Sequence, residues 1–313
     1  MNRTTRRKFV SQLAGMAALG ITGTALAADK RNGFSATSYE FSLAEWSLHK
    51  ALFGKQMTNL DFPEVARRKF DIGVVEYVNQ FFMDKAEDTS YLNQLLQRCK
   101  DNQVRNHLIM CDNEGNLGDT DASVRKKAVE NHYKWVHAAK YLGCATIRVN
   151  AFGKGSAAEV QKAAIDGLAK LGSYAAKEKI NVIVENHGGH TSNGKWLAGV
   201  MKGVNMTNVG TLPDFNNFCI RREGDQPWSG KCIEEYDRYT GVKEMMPFAK
   251  GVSAKTIDFD AAGNCVETDY IKMMKIIKDS GFKGFIGIEY EGEQIGEEDG
   301  IRKTKDLLQR MLA

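Results

Sequence analysis

Three short runs place acidic side chains where a strand hands over to a loop. Val182-Ile183-Val184 ends in Glu185, followed by Asn186 and His187; Thr211-Leu212-Pro213 ends in Asp214; Gly287-Ile288 ends in Glu289, with Glu291 two residues on and facing the same way. Taken singly, each reads equally well as a salt bridge or loop cap. Carboxylates converging on one small volume repel, and a divalent cation removes that cost by making them ligands. Such an oxygen-rich set calls for one ion, Mn²⁺ before the alternatives Mg²⁺, Co²⁺ and Zn²⁺. An ion held there polarises a substrate carbonyl, makes the neighbouring C–H acidic and stabilises the enediolate that follows.

Other residues have the types to complete such a site. His187 and His190 flank a Gly-Gly turn, and His187 is a candidate metal ligand or substrate contact. Lys255 can hold a substrate hydroxyl or carbonyl, or pair with a carboxylate. Trp46 and His49 can form one wall against the C–H face of a sugar ring, although core packing is the commoner role of a tryptophan. Glu76, Arg148 and Asn150 either line the cup or belong to polar layers inside the fold.

The elements that position these residues alternate strand and helix eight times. Expected strands cover residues 41–48, 74–79, 106–112, 146–152, 181–187, 209–215, 251–259 and 285–292. Amphipathic helices fall between them, including one long helix from Ser123 to Gly143, and a long loop containing Gly224, Pro227 and Gly230 follows the sixth strand. Eight alternations in this length predict an α/β fold, a single (β/α)8 TIM barrel over residues 39–313, with its active site at the C-terminal ends of the strands. No GxGxxG opens a strand–helix unit, which leaves dinucleotide binding without support.

The order and context of these runs resemble the sugar phosphate isomerase/epimerase superfamily, the xylose isomerase-like TIM barrels, over essentially the whole mature chain. In that family strands five to eight supply Glu, Asp, His and Glu as metal ligands. The resemblance makes Glu185, Asp214 and Glu289 ligands here, with Glu185 and Glu289 as the catalytic acid/base pair. The seventh strand departs from the family's His-Val-Lys-Asp: it reads Ser253-Ala254-Lys255-Thr256, with Ser253 at the histidine position. The fourth ligand is then water held by Ser253, His187, or substrate. Lys255 matches the family's lysine.

The first 27 residues carry Arg6-Arg7, a short apolar stretch and Ala25-Leu26-Ala27, the pattern of a Tat export signal, with a polar linker over 28–38. The stretch is short and weakly apolar, so no stable membrane anchor is expected, and the Tat machinery and a periplasmic or otherwise exported location are. Arg3, Arg6, Arg7 and Lys8 have no acidic counterpart in that segment; without them Lys plus Arg falls from 43 to 39, equal to Asp plus Glu. A neutral mature chain argues against a nucleic-acid partner and against a metal-dependent endonuclease on this barrel. The six cysteines form no CxxC pair, and Cys219 and Cys232 flank one loop, free to bridge or to remain thiols.

No phosphate-binding glycine loop or basic cluster is evident. The substrate expected is a small carbohydrate: a non-phosphorylated sugar, keto-sugar or cyclitol. Reprotonation on the opposite face gives an epimerase, and at the adjacent carbon an isomerase. A leaving group β to the carbonyl instead makes the same site a lyase acting on a 3-keto-glycoside. An exported, non-catalytic sugar-binding protein is the reading from another class.

Overall fold

The computed structural model describes residues 39–225 and 229–312. The expected signal and linker lie outside the described residues, as does Pro227 in the loop after the sixth strand. Eight parallel strands are β1 Tyr39–Ala44, β2 Val74–Val78, β3 Arg105–Met110, β4 Thr146–Val149, β5 Asn181–Glu185, β6 Val209–Leu212, β9 Val252–Thr256 and β10 Gly284–Tyr290. The strand order β6-β5-β4-β3-β2-β1-β10-β9 wraps the first strand against the last, and helices fill the intervals. This is the (β/α)8 barrel the alternation predicts.

Closure between β6 and β9 is looser than elsewhere. Only isolated bridges, Thr211 to Ala249 and Asp214 to Ser253, join them. Pro213 lies in this seam; its carbonyl accepts from the Ser253 amide at 2.9 Å, but it has no N–H to return. The seam is nonetheless held at Asp214, where the Phe215 N–H donates to the Ser253 carbonyl at 3.1 Å.

Side chains alternate across each strand. Outward-facing Ile147, Val149, Val182 and Val184 pack under the helices, in a core that includes fully buried Trp135 and Phe215. Inside the barrel Ala44, Val78, Leu108, Met110, Ile183 and Leu212 form a small apolar plug, and Trp46 and Phe81 rest on it. On the same inward rows Glu185, Asp214 and Glu289 sit at or just beyond the C-terminal ends, whereas Glu76 and Ser253 lie deeper. Gly287 lies on one of these rows, where a Cβ would come within 2.9 Å of the Glu76 carboxylate.

The first strand, expected to run to Leu48, ends at Ala44, and Glu45–Leu48 form a 3-10 helix. Two further elements differ from the sequence expectation. The long helix breaks at His132 into Ala122–Asn131 and Tyr133–Leu142, with the His132 imidazole Nδ1 2.7 Å from the Ala128 carbonyl oxygen. The loop after β6 contains an antiparallel hairpin, β7 Cys219–Arg222 and β8 Cys232–Glu235, joined by a Cys219–Cys232 disulfide. Its strands are four residues long and mostly polar, so they carry no apolar alternation to read. Among the described residues no helix is long and apolar enough to cross a membrane.

Candidate metal centre and active site

The barrel register brings the acidic runs together. Lys255 of β9 lies beside Glu289 of β10, and Asp214, just past β6, bridges to Ser253. Glu185, Asp214 and Glu289 each offer an oxygen within 4.8 Å of the others, and all three are buried. Each carboxylate is aimed by a neighbour. Asp214 Oδ1 accepts the backbone N–H groups of Asn216 and Asn217, both at 2.8 Å, which turns Oδ2 toward Ser253. The Asn186 amide clamps the Asp214 backbone, accepting from its N–H at 2.7 Å and donating to its carbonyl at 3.0 Å. The Asn217 side chain donates to Glu185 Oε1 at 3.0 Å.

Positive charge is scarce in this cluster. Lys255 Nζ lies 3.2 Å from Glu289 Oε1, 3.0 Å from Glu291 Oε2 and 3.8 Å from Asp214 Oδ2. Arg148 Nε is 3.0 Å from Glu185 Oε2, close enough for an ion pair but not aligned as a hydrogen bond. Ser253 Oγ stands 2.8 Å from Asp214 Oδ2 and 3.0 Å from Glu289 Oε2. A hydroxyl has one proton, so it satisfies only one of two ionised carboxylates at a time. Burial accordingly pushes Glu185 up to about 7 and Asp214 up to about 6, against the pull of Lys255 and, for Glu185, of Arg148. Glu289 is raised for the same reason. Three buried oxygen donors short of positive charge fit a divalent cation.

Above the cluster opens a cavity of about 860 Å³. Of the three clustered carboxylates only Glu289 lines it; Glu185 and Asp214 lie behind Arg148 and Lys255, which do. Trp46 forms one wall, its ring stacked on His49 at 5.0 Å and its Nε1–H donating to Glu291 Oε1 at 2.7 Å. Burial works against the charge of Glu291, but Lys255 and this indole outweigh it and hold the group at about 2.

The opposite wall is a polar chain. Arg148 Nη1 and Asn150 Nδ2 donate to Asp112 Oδ1 at 2.6 and 2.8 Å, and Asn150 Oδ1 faces His187 Nδ1 at 3.1 Å. This contact makes His187 an Nδ1–H donor, and burial with Arg148 nearby lowers its pKa to about 3, leaving it neutral. His187 stands outside the three-carboxylate group. Glu76 does not line the cavity: it is buried in the barrel, pushed up to about 7 by burial, with Oε1 accepting from Ser42 Oγ at 2.5 Å. Asp112 was not singled out from the sequence, although it follows the third strand by two residues, much as Asp214 follows the sixth. Asn217 was likewise missed; the Asn-Asn pair after Asp214 is its signal.

A (β/α)8 barrel with buried acids at the ends of strands from its second half defines a recognisable class. The chain belongs to the xylose isomerase-like TIM barrel family, whose model matches residues 65–311. No curated protein matches it. Among solved structures it is similar to an IOLI protein with a bound zinc atom (13% identity over 87% of this chain and 98% of that one, TM-score 0.66). It is also similar to a D-psicose 3-epimerase in the presence of D-fructose (12%, 87% and 99%, TM-score 0.65). A third is the 3-keto-D-glucoside 4-epimerase of E. coli (13%, 88% and 99%, TM-score 0.59). At such identities the likeness is one of fold.

Proposed function

We propose that this protein is an exported, divalent-metal-dependent enzyme that moves a proton at the carbon next to a carbonyl of a non-phosphorylated sugar, keto-sugar or cyclitol, as an epimerase or isomerase. The observation that carries the reading is the buried Glu185–Asp214–Glu289 cluster, its oxygens within 4.8 Å of one another. These three would hold the ion, with Ser253 Oγ beside two of them as a direct or water-mediated fourth contact. When bound, the cation supplies the positive charge that makes the C–H beside a substrate carbonyl acidic. Mn²⁺ is the ion we favour for an oxygen-only set.

The chain's own residues do the rest. Glu289 reaches the cavity and takes or returns the proton at the substrate carbon, with Glu185 as its counterpart. Lys255, between Glu289 and Glu291, binds a substrate oxygen. Arg148 and neutral His187 orient hydroxyls, and Trp46 covers the C–H face of the ring. Arg6-Arg7 and the Cys219–Cys232 disulfide support an oxidising, exported location.

Solvent exchange tests the reading. Mature protein loaded with Mg²⁺, which is diamagnetic, is given ketoses and 3-keto-glycosides in D₂O and followed by NMR. Deuterium next to the carbonyl, lost in Glu185→Gln and Glu289→Gln, supports enediolate chemistry, and the product separates epimerase, isomerase and lyase. Metal uptake without exchange on any substrate points to the sugar-binding role instead.

A further inference from the structure

A second cavity, of about 470 Å³, opens beside the first at the C-terminal face of the barrel. The two share one wall residue, Phe152, and are otherwise divided by β7. Cys219 and Arg222 line the first cavity, whereas Ile220 and Arg221 line the second; two irregularities in the β7–β8 pairing produce this division. The disulfide ties the divider to β8, whose Glu234 completes the second cavity's wall. The Gly188-Gly189 turn works in the same sense. Both glycines take positive φ, 101° and 59°, and the turn sends His187 into the first cavity and His190 into the second.

The second cavity has the chemistry of a carbohydrate subsite. The His190 ring stacks on Trp196 at 5.8 Å, and Phe152 stands across the shared boundary. Arg221 and Glu234 pair at 3.4 Å on the rim. Flat rings suit the C–H face of a pyranose, while a paired guanidinium and carboxylate offer donors and acceptors to its hydroxyls. Because Glu234 neutralises Arg221, the rim does not select an anion such as a phosphate. Phe152 also stacks on His187 at 6.0 Å, so the wall of this cavity continues into the polar chain of the first.

We infer that the second cavity is a subsite for a second pyranose ring, and that the substrate is a glycoside whose reacting ring occupies the first. This rests on the proposed function and narrows it, since a two-ring substrate carries a leaving group at the reacting ring.

The test compares one-ring and two-ring probes on the Mg²⁺-loaded mature protein: methyl β-D-glucopyranoside against cellobiose, sophorose and trehalose, by saturation-transfer NMR and competition titration. At least one disaccharide should bind about tenfold more tightly than the methyl glycoside, roughly 1.4 kcal/mol, with saturation on both rings. Arg221→Ala and His190→Ala should each weaken that disaccharide about threefold or more and leave the methyl glycoside unchanged. Both side chains lie outside the barrel core, and thermal melts confirm that the variants fold. Equal affinity for one and two rings, saturation confined to one ring, or equal losses for both probes overturns the subsite. Solvent exchange on a one-ring keto-sugar together with any of these results leaves the proposed function standing. Absence of both metal uptake and exchange would remove that function itself.

Discussion

The two ends of the barrel bury ionisable groups in opposite ways. At the C-terminal end Glu185, Asp214 and Glu289 crowd together, and Lys255 and Arg148 supply too little positive charge to settle them all. At the N-terminal end His107, at the start of β3, is buried alone against the Phe285 ring, centroids 3.8 Å apart. Burial drives its pKa down to about 4, and Arg105, itself paired with Glu40, adds a smaller push the same way. The first arrangement leaves charge that a ligand can satisfy; the second avoids charge altogether. Crowding of unsatisfied like charges, rather than burial of a titratable group, is what marks the functional end.

The largest expected effect follows from breaking the crowded end. Asp214→Asn keeps an oxygen for the Asn216 and Asn217 amides but replaces the ligand oxygen facing Ser253 with an NH₂ group. Divalent-ion affinity should fall on the order of 10²-fold or more, read by Mn²⁺ EPR or calorimetry. The metal-free variant should melt no lower than wild type, because Asp214 is raised to about 6 and its ionised form is a burden to the fold near neutral pH. A lower melting point with unchanged metal affinity would make Asp214 structural.

The lone histidine gives the opposite pattern, one of stability without ligand. Its folded-state pKa lies below the unfolded value near 6.5, so the unfolded chain binds the proton more readily. Stability from neutral His107 is complete above about 6.5 and is lost as pH falls toward 4. His107→Leu should therefore remove about 3 kcal/mol of the acid-induced loss between pH 7 and 4, measured by denaturant titration, and leave metal affinity unchanged. An identical acid profile in the variant would show that His107 is already solvated.

Much of this was legible in the sequence. Eight short strand-like runs separated by amphipathic stretches announce the barrel, and an acid following Val-Ile-Val is out of place in a packed strand, which is why Glu185 stood out. What could not be read depends on contacts across the barrel. The period of two puts Glu76 on the inward row but does not say how deep it lies; only the space left by Gly287 on β10 shows it buried below the cavity. The same period links Glu185 to position 187, but β5 ends at Glu185 and Asn150 then holds the His187 ring away from the three carboxylates. The hairpin that divides the two cavities has no apolar alternation, so it read as loop, although its two cysteines were visible.

The smallest effect sharpens the comparison most, because it changes charge without removing a ligand. Lys255 lies 3.2 Å from Glu289 and 3.8 Å from Asp214, so an arriving divalent ion meets an ammonium already among two of its three ligands. Like charges at such distances repel strongly where little water screens them. Lys255→Met, of similar length and without charge, should tighten Mn²⁺ binding about tenfold, roughly 1.4 kcal/mol. Solvent exchange on substrate should fall in the same variant, because the ammonium that held the substrate oxygen beside Glu289 is gone. Affinity and turnover moving in opposite directions would identify Lys255 as a cation that the metal must share space with and the chemistry still requires. If both fall together, Lys255 instead holds the carboxylates in place, and the crowded end is short of order rather than of charge.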